Sequence, residues 1–389
     1  MIYLSHVGLI NALGGSLAEI GDRLTSGRSG LTQQEGWLLN GKSTWVGEVA
    51  EALPEIPPHL AKHRSRNNGL LMAALAQIRP RVDDAIARFG ADRIAVVMGT
   101  STSGIHEGEL AIAHQLTHGK LPEHYDYQQQ ELGDPSSFLA SLLSLNGPAY
   151  TISTACSSSV RAIISGARLI RAGLADAALV GGADSLCRMA INGFNSLESV
   201  SYQRCRPFAQ GRDGINIGES AGLILLTREP SKVALLGYGE SSDAWHMSAP
   251  HPQGEGAERA MRMALAQAKM TPQQVGYINL HGTATVLNDS AESLAVHRVF
   301  GPETPCSSTK HLTGHTLGAA GITEAILCFL LLDRDLPLPI QDFSLSAKDR
   351  ALADINLITH PQKLSKKAVI SNSFAFGGNN ACVLLGEVG

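Results

Sequence analysis

At 389 residues, with 44% hydrophobic side chains, 17% charged and 40 glycines, the chain has room for two domains or one large double-layered unit and is no disordered polypeptide. A formal net charge of -4 with no long basic run gives no case for a nucleic-acid binder. Six scattered cysteines (156, 187, 205, 306, 328, 382) without a CxxC pair argue against a zinc site or disulfide scaffold and suit a reducing cytosol.

The opening Met1-Ile2-Tyr3-Leu4-Ser5 lacks a signal-peptide pattern, so a cytoplasmic protein is expected. Residues 2–8 read as a first strand and 17–24 as a short helix. Residues 30–68 are mixed, with Pro54, Pro57 and Pro58 marking loop and Lys62, Arg64 and Arg66 forming a small basic cluster. That cluster is either a solvated face or a docking patch for an acidic partner. The spacing over 70–89 predicts one long amphipathic helix, and 93–98 a buried strand. Residues 105–146 look like helices and loops inserted between core elements.

Residues 149–153 then form a short uncharged strand ending in Thr154-Ala155-Cys156-Ser157-Ser158-Ser159. Val160, Ile163, Ile164, Ala167 and Ile170 are spaced for one face of the helix that follows. A cysteine at such a turn meets unpaired N–H groups and the positive end of the helix dipole, which favour a thiolate and can hold an oxyanion. Further on, 174–180 is a strand, and the turns at Arg206-Pro207-Phe208 and Arg212-Asp213-Gly214 are read as loops held by Arg–Asp pairing. After the strand 223–227 the first half ends, giving halves 1–230 and 231–389.

The second half carries a strand over 233–238, a helix over 256–268 and a strand over 275–280 running into His281-Gly282-Thr283-Ala284-Thr285. A helix over about 289–299 follows, then Lys310 and Gly314-His315-Thr316-Leu317-Gly318-Ala319-Ala320-Gly321. The apolar helix about 317–332 contains Glu324 and is too short to span a bilayer. A strand at 369–371, the loop 372–380 and a strand at 382–385 close the chain. A shift of 159 residues places His315 on Cys156, Gly377 on Gly218 and strand 382–385 on 223–226. Two copies of one βα unit, packed face to face, are therefore expected, with a thiol and an imidazole at the facing helix ends.

A thiol facing two histidines suits acyl transfer followed by carbon–carbon bond formation. Cys156 would take an acyl group, and a β-carboxylated second substrate would lose carbon dioxide to leave an enolate. Neutral His281 and His315 supply donors for its oxygen. An ammonium at Lys310 would favour the ionised thiol, and Glu324, alone in an apolar helix, needs a partner.

These motifs, together with Asn372-Ser373-Phe374-Ala375-Phe376-Gly377-Gly378, resemble the β-ketoacyl-acyl carrier protein synthases, the elongating condensing enzymes of fatty acid and polyketide assembly. The resemblance spans nearly the whole chain. It implies an α/β thiolase-like fold of two related halves in five layers, α-β-α-β-α, with no cofactor of its own and no metal. It implies Cys156 as nucleophile, His281 and His315 for decarboxylation and condensation, and supporting positions for Lys310 and Glu324. Thr283 and Thr285 match residues that contact the phosphopantetheine arm of acyl carrier protein. Phe376 matches the gating aromatic whose N–H joins that of Cys156 in the oxyanion hole. Lys62, Arg64, Arg66, Arg204 and Arg206 fall where such enzymes meet the carrier protein. The assembly implied is a homodimer, or a heterodimer with a related ketosynthase or chain-length-factor subunit.

The chain departs from the family pattern at Ala209, Ile215 and Ala375, the last replacing a glycine that would leave the gating loop freer. The N-terminal strand and residues 98–104 look most like the branch that builds aryl polyene pigments. Cys156 argues against a non-elongating chain-length factor, His315 against a priming synthase, and the lack of a cysteine after Phe376 against a thiolase. A partner subunit whose motifs are relics stays as the alternative.

Overall fold

The computed structural model describes residues 1–388. Five strands of the first half are β1 (Ile2–Asn11), β2 (Ile94–Gly99), β3 (Ala149–Ile152), β4 (Ala177–Asp184) and β5 (Ser220–Thr227). Those of the second are β6 (Val233–Ser242), β7 (Tyr277–Asn279), β8 (Pro305–Ser307), β9 (Ala368–Phe374) and β10 (Asn379–Glu387). The first five lie in the order β3-β2-β4-β5-β1 and the second five in the order β8-β7-β9-β10-β6. Counted from its own first strand each half has the same order, and the second adds one short edge strand, Asn356–Leu357, parallel to β8. β2, β3 and β4 are mutually parallel and β5 runs against them, just as β7, β8 and β9 are parallel and β10 runs against them. The halves are joined edge to edge through β1 and β6, where Ile2 pairs with Leu235 and Tyr3 with Ala234.

Helices α1 (Arg66–Ala76) and α3 (Glu255–Ala268) cover the two outer faces. Between the sheets lie α2 (Ser158–Arg171) and α5 (Ala320–Asp333), packed against each other and against strands of both halves. That gives the five layers expected. Alternation along the strands sorts side chains between layers. Ala95 and Val97 of β2 face the central core with Ile163 and Ile322, while Ile94, Val96 and Met98 face the outer core under α1. Likewise Ala381, Val383 and Leu385 of β10 point inward, and Cys382 and Leu384 outward beneath α3. A helix caught between two sheets is apolar all round, and Ala320 to Leu332 of α5 are all buried. The two central helices meet at Gly321, where an added Cβ would come within 2.3 Å of a Val160 methyl.

The single helix expected over 70–89 is two, Arg66–Ala76 and Arg79–Phe89. Pro80 sits in the first turn of the second and cannot lie in a helix interior, where its ring would strike the carbonyl of Ala76. The break has a use: the Gln77 amide donates to the Leu9 carbonyl (2.8 Å) and accepts from the Leu9 N–H (3.2 Å). The helix expected from about 289 starts earlier, as α4 (Val286–Phe300), capped by Thr285. Among the described residues no helix is long and apolar enough to cross a membrane.

Candidate active site

Cys156 lies in the turn between β3 and α2. Ala155 before it has a positive φ of 52°, and the Ser158 hydroxyl bridges the turn, accepting from the Thr154 N–H and donating to the Ala155 carbonyl. His315 precedes α5 in the second half and follows Gly314, φ 74°. The shift of 159 that places His315 on Cys156 also places Gly314 on Ala155, so each of these side chains follows a residue of positive φ. The His315 backbone is held by the first half, donating to the Asn216 carbonyl (2.7 Å) and accepting from Gly218 (3.0 Å).

Sγ of Cys156 lies 2.9 Å from Nε2 of His315. The His281 ring stands edge-on to that of His315, centroids 5.4 Å apart at 85°. One sulfur and one nitrogen from each ring fall within 4.8 Å of one another, a spacing a soft divalent ion could also bridge. All three residues are buried. They form the floor of a cavity of about 280 Å³, whose walls include Thr283, Thr285, Ile215, Phe374 and Phe376. The Thr283 and Thr285 hydroxyls are 3.0 Å apart.

Lys310 and Glu324, both buried, form an ion pair behind the site. Burial raises the Glu324 carboxyl to about 7, with the Lys310 charge pulling the other way. Burial, reinforced by the Lys310 charge, lowers His281 and His315 well below the ordinary imidazole value, so both rings are neutral near pH 7. The expected thiolate is not the resting state. Burial pushes the Cys156 thiol up to about 12, outweighing Lys310 and the N–H groups of Phe376 and Cys156 itself, which pull it down. The neutral His315 ring is the group in contact with that protonated thiol.

Phe376 packs on Phe194, ring centroids 5.3 Å apart, and the next residue, Gly377, donates to the Met247 carbonyl (2.8 Å). Ala375 has φ -100° and ψ 155°, extended backbone that alanine adopts without strain, which explains how the loop accepts it.

The basic clusters fare unevenly. The Arg66 guanidinium is committed to buried Glu219 through Nε (2.9 Å) and Nη2 (2.5 Å). Arg204 pairs with Asp342 at 2.5 Å, and Arg206 donates to the Gly211 carbonyl at 2.6 Å. Only Lys62 and Arg64 are exposed and free of such ties. Of the expected loop pairings, Arg206 lies 3.9 Å from Asp213, whereas Arg212 turns to Asp349 (2.6 Å) and Asp289 (3.6 Å).

Two carboxylates escaped the sequence reading. Glu292 on α4 accepts from the His281 N–H (2.8 Å), the Gly282 N–H (2.7 Å) and the Asn372 amide (3.3 Å). Asp184, at the end of β4, accepts from Ser101 and Thr102 of one half and from the Ala319 N–H, just before α5, of the other. The signal for Glu292 was an acid among Ala291, Ala295 and Val296 on a helix beginning five residues after His281.

Residues 48–231 match the β-ketoacyl synthase N-terminal domain and residues 233–344 its C-terminal domain. The chain is 30% identical to 3-oxoacyl-[acyl-carrier-protein] synthase 2 of Vibrio harveyi, over 100% of this chain and 98% of that protein. It is 33% identical to the enzyme of the same name from Staphylococcus aureus, over 85% and 87%. A solved structure of the ketosynthase ApeO of Xenorhabdus doucetiae, in complex with its chain length factor ApeC, shares 58% identity. It superposes with a TM-score of 0.97 over 100% of this chain and 98% of that one. A buried thiol touching a neutral imidazole, with a second imidazole beside it, sits in a thiolase-like fold that these proteins share over most or all of its length: the chain belongs to the β-ketoacyl synthase family of acyltransferases.

Proposed function

We propose that the chain elongates acyl chains by decarboxylative Claisen condensation, loading an acyl group on Cys156 and extending it with malonyl-acyl carrier protein. The observation that carries this is the 2.9 Å contact between Sγ and His315 Nε2, with His281 beside it, on the floor of one cavity. Cys156 attacks the incoming thioester as its proton passes to His315. The oxyanion is held by the N–H groups of Cys156 and Phe376, and the carrier thiol leaves with a proton. The malonyl thioester then enters. Its bond to the carboxylate breaks, carbon dioxide departs, and the electron pair forms an enolate whose oxygen is held by N–H donors from His281 and His315. The nucleophilic carbon attacks the acyl carbonyl, and the Cys156 thiolate leaves and is reprotonated. Neutral rings suit this work, because a fixed charge would bind ground state and transition state alike.

Thr283 and Thr285 hold the phosphopantetheine arm. Lys310 and Glu324 keep the floor of the site polar and rigid. The halves 1–230 and 231–389 are two copies of one unit, and the site forms between them. The ApeO–ApeC complex supports a heterodimer with a chain length factor and an aryl polyene or related polyketide pathway. The intact Cys156–His281–His315 set disfavours the alternative of a non-elongating partner subunit. The test is acyl-carrier protein plus malonyl-carrier protein, with candidate partner subunit added. Carbon dioxide release with a β-ketoacyl product, lost in Cys156→Ala, is expected; no product under any pairing overturns the reading.

A further inference from the structure

Nδ1 of His315 is buried and meets no hydrogen-bond partner among the described residues. A functional imidazole is ordinarily oriented through its second nitrogen, so the direction of this ring is left to its backbone and to the helix that begins beyond it. That helix, α5, has no cap of its own, because its N-cap residue, Ala319, carries no polar side chain. Two buried side chains of the first half take the place. Ser159, in the first turn of α2 behind Cys156, accepts from the Ile322 N–H (2.8 Å). Asp184 accepts through Oδ2 from the Ala319 N–H (3.0 Å), which also reaches the Thr316 carbonyl. Oδ1 of Asp184 is fastened within its own half by the Thr100 hydroxyl, the Ser101 N–H and both the N–H and the hydroxyl of Thr102, all at 2.7–2.8 Å. A carboxylate with one oxygen held by four donors offers its other oxygen as a fixed point to the far half. Gly318 lets the halves come this close: a Cβ there would stand 2.8 Å from Oδ2 of Asp184 and from the Ser101 nitrogen.

We infer that Asp184, together with Ser159, is a positioning residue for the reaction: from the first half it fixes the head of α5, and through it the turn 314–319, so that the His315 ring stands against the Cys156 sulfur. Asp184 is not among the residues lining the catalytic cavity, and it acts through His315. This rests on the catalytic reading above, in which His315 serves acylation and condensation. Electrostatics alone would give Asp184 the opposite effect. Its charge opposes ionisation of the Cys156 thiol, so removing that charge would by itself speed the attack. A slower enzyme on its loss therefore reports geometry.

A double-variant cycle tests this in the complete enzyme, with its partner subunit where activity needs one. Asp184→Asn keeps the shape of the side chain but replaces one acceptor oxygen by a donor. It is expected to slow acylation of Cys156 by acyl-pantetheine, followed by intact-protein mass, by about tenfold or more. It should lower kcat for condensation alike while KM for malonyl-carrier protein stays within about twofold. In a His315→Ala background the same change should alter the acylation rate by less than about twofold, because the ring it positions is gone. Where Asp184→Asn does not fold, Ser159→Ala, which removes a single hydroxyl, is read in the same cycle. It should cost about threefold alone and nothing further beside His315→Ala. Losses that add in the double variant, or a single variant as fast as the wild type or faster, overturn the inference. A His315→Ala enzyme that loads and condenses at the wild-type rate overturns the catalytic reading instead, and the inference falls with it.

Discussion

Cys156 and His315 stand 159 residues apart in the chain and 2.9 Å apart in space, each following a residue of positive φ shortly before a central helix. The internal repeat thus builds half of the site by symmetry: one copy supplies the thiol, the other the base in contact with it. His281 breaks the symmetry, coming from the end of β7. On the proposed mechanism this contact would give His315 a share in acylation as well as condensation. We expect His281→Ala to keep Cys156 acylation near the wild-type rate while losing condensation by at least about a hundredfold, and His315→Ala to slow both steps. Intact-protein mass for the adduct and chromatography for the product separate the two.

The pH profile follows from burial. Protonation of His281 or His315 would remove the neutral ring, but both lie well below the usual 6.5, so lowering pH through that value leaves them neutral. Condensation should hold its rate through about pH 6, without the acid limb an ordinary histidine gives. The Cys156 thiol, pushed up to about 12, ionises more with every rise in pH across the accessible range. Its alkylation by iodoacetamide should therefore keep climbing past about pH 10, where an unperturbed thiol of pKa about 8.5 has levelled off. A plateau near that pH would show a freer sulfur.

Lys310 and Glu324 are a buried pair, so removing one partner costs more than removing both. Lys310→Met should destabilise the protein by about 3–5 kcal/mol, leaving an uncompensated carboxyl in an apolar helix. Lys310→Met/Glu324→Leu should recover much of that loss. Denaturant unfolding of both variants measures it, and additive losses would contradict the pairing.

Glu292 holds the turn of His281 by two backbone N–H groups. Glu292→Ala strands both and should cost on the order of 2 kcal/mol or more in stability. It should also depress condensation beyond acylation, because the ring whose backbone is released is His281. Glu292→Gln keeps an acceptor and should fall between the two in both assays.

The chemistry was easier to read from the chain than its support. Cysteine and the two histidines stand in short glycine- and serine-rich turns after apolar strands, where a reactive side chain is conspicuous. Glu324 was visible because a charge in an apolar helix demands a partner, whereas Lys310 stood out only by its nearness to His315 and could pass for a surface lysine. Glu292 was hidden because an acid on an amphipathic helix looks like solvent-facing charge, and its partners are main-chain N–H groups that leave no mark in the sequence. The ionisation state of Cys156 depends on how completely three elements from two halves exclude water, which no local pattern carries. The basic residues show the converse. Arg66 reads as surface charge, yet Glu219, more than a hundred and fifty residues away, claims it. The break at Gln77 was in plain view as Pro80, and periodicity alone overrode it.

The most direct test of the account is the mass of the His281→Ala enzyme after incubation with acyl-carrier thioester and then malonyl-carrier protein. The account predicts an acyl adduct on Cys156 that persists without yielding a β-ketoacyl product. An adduct that turns over to product at the wild-type rate would contradict it.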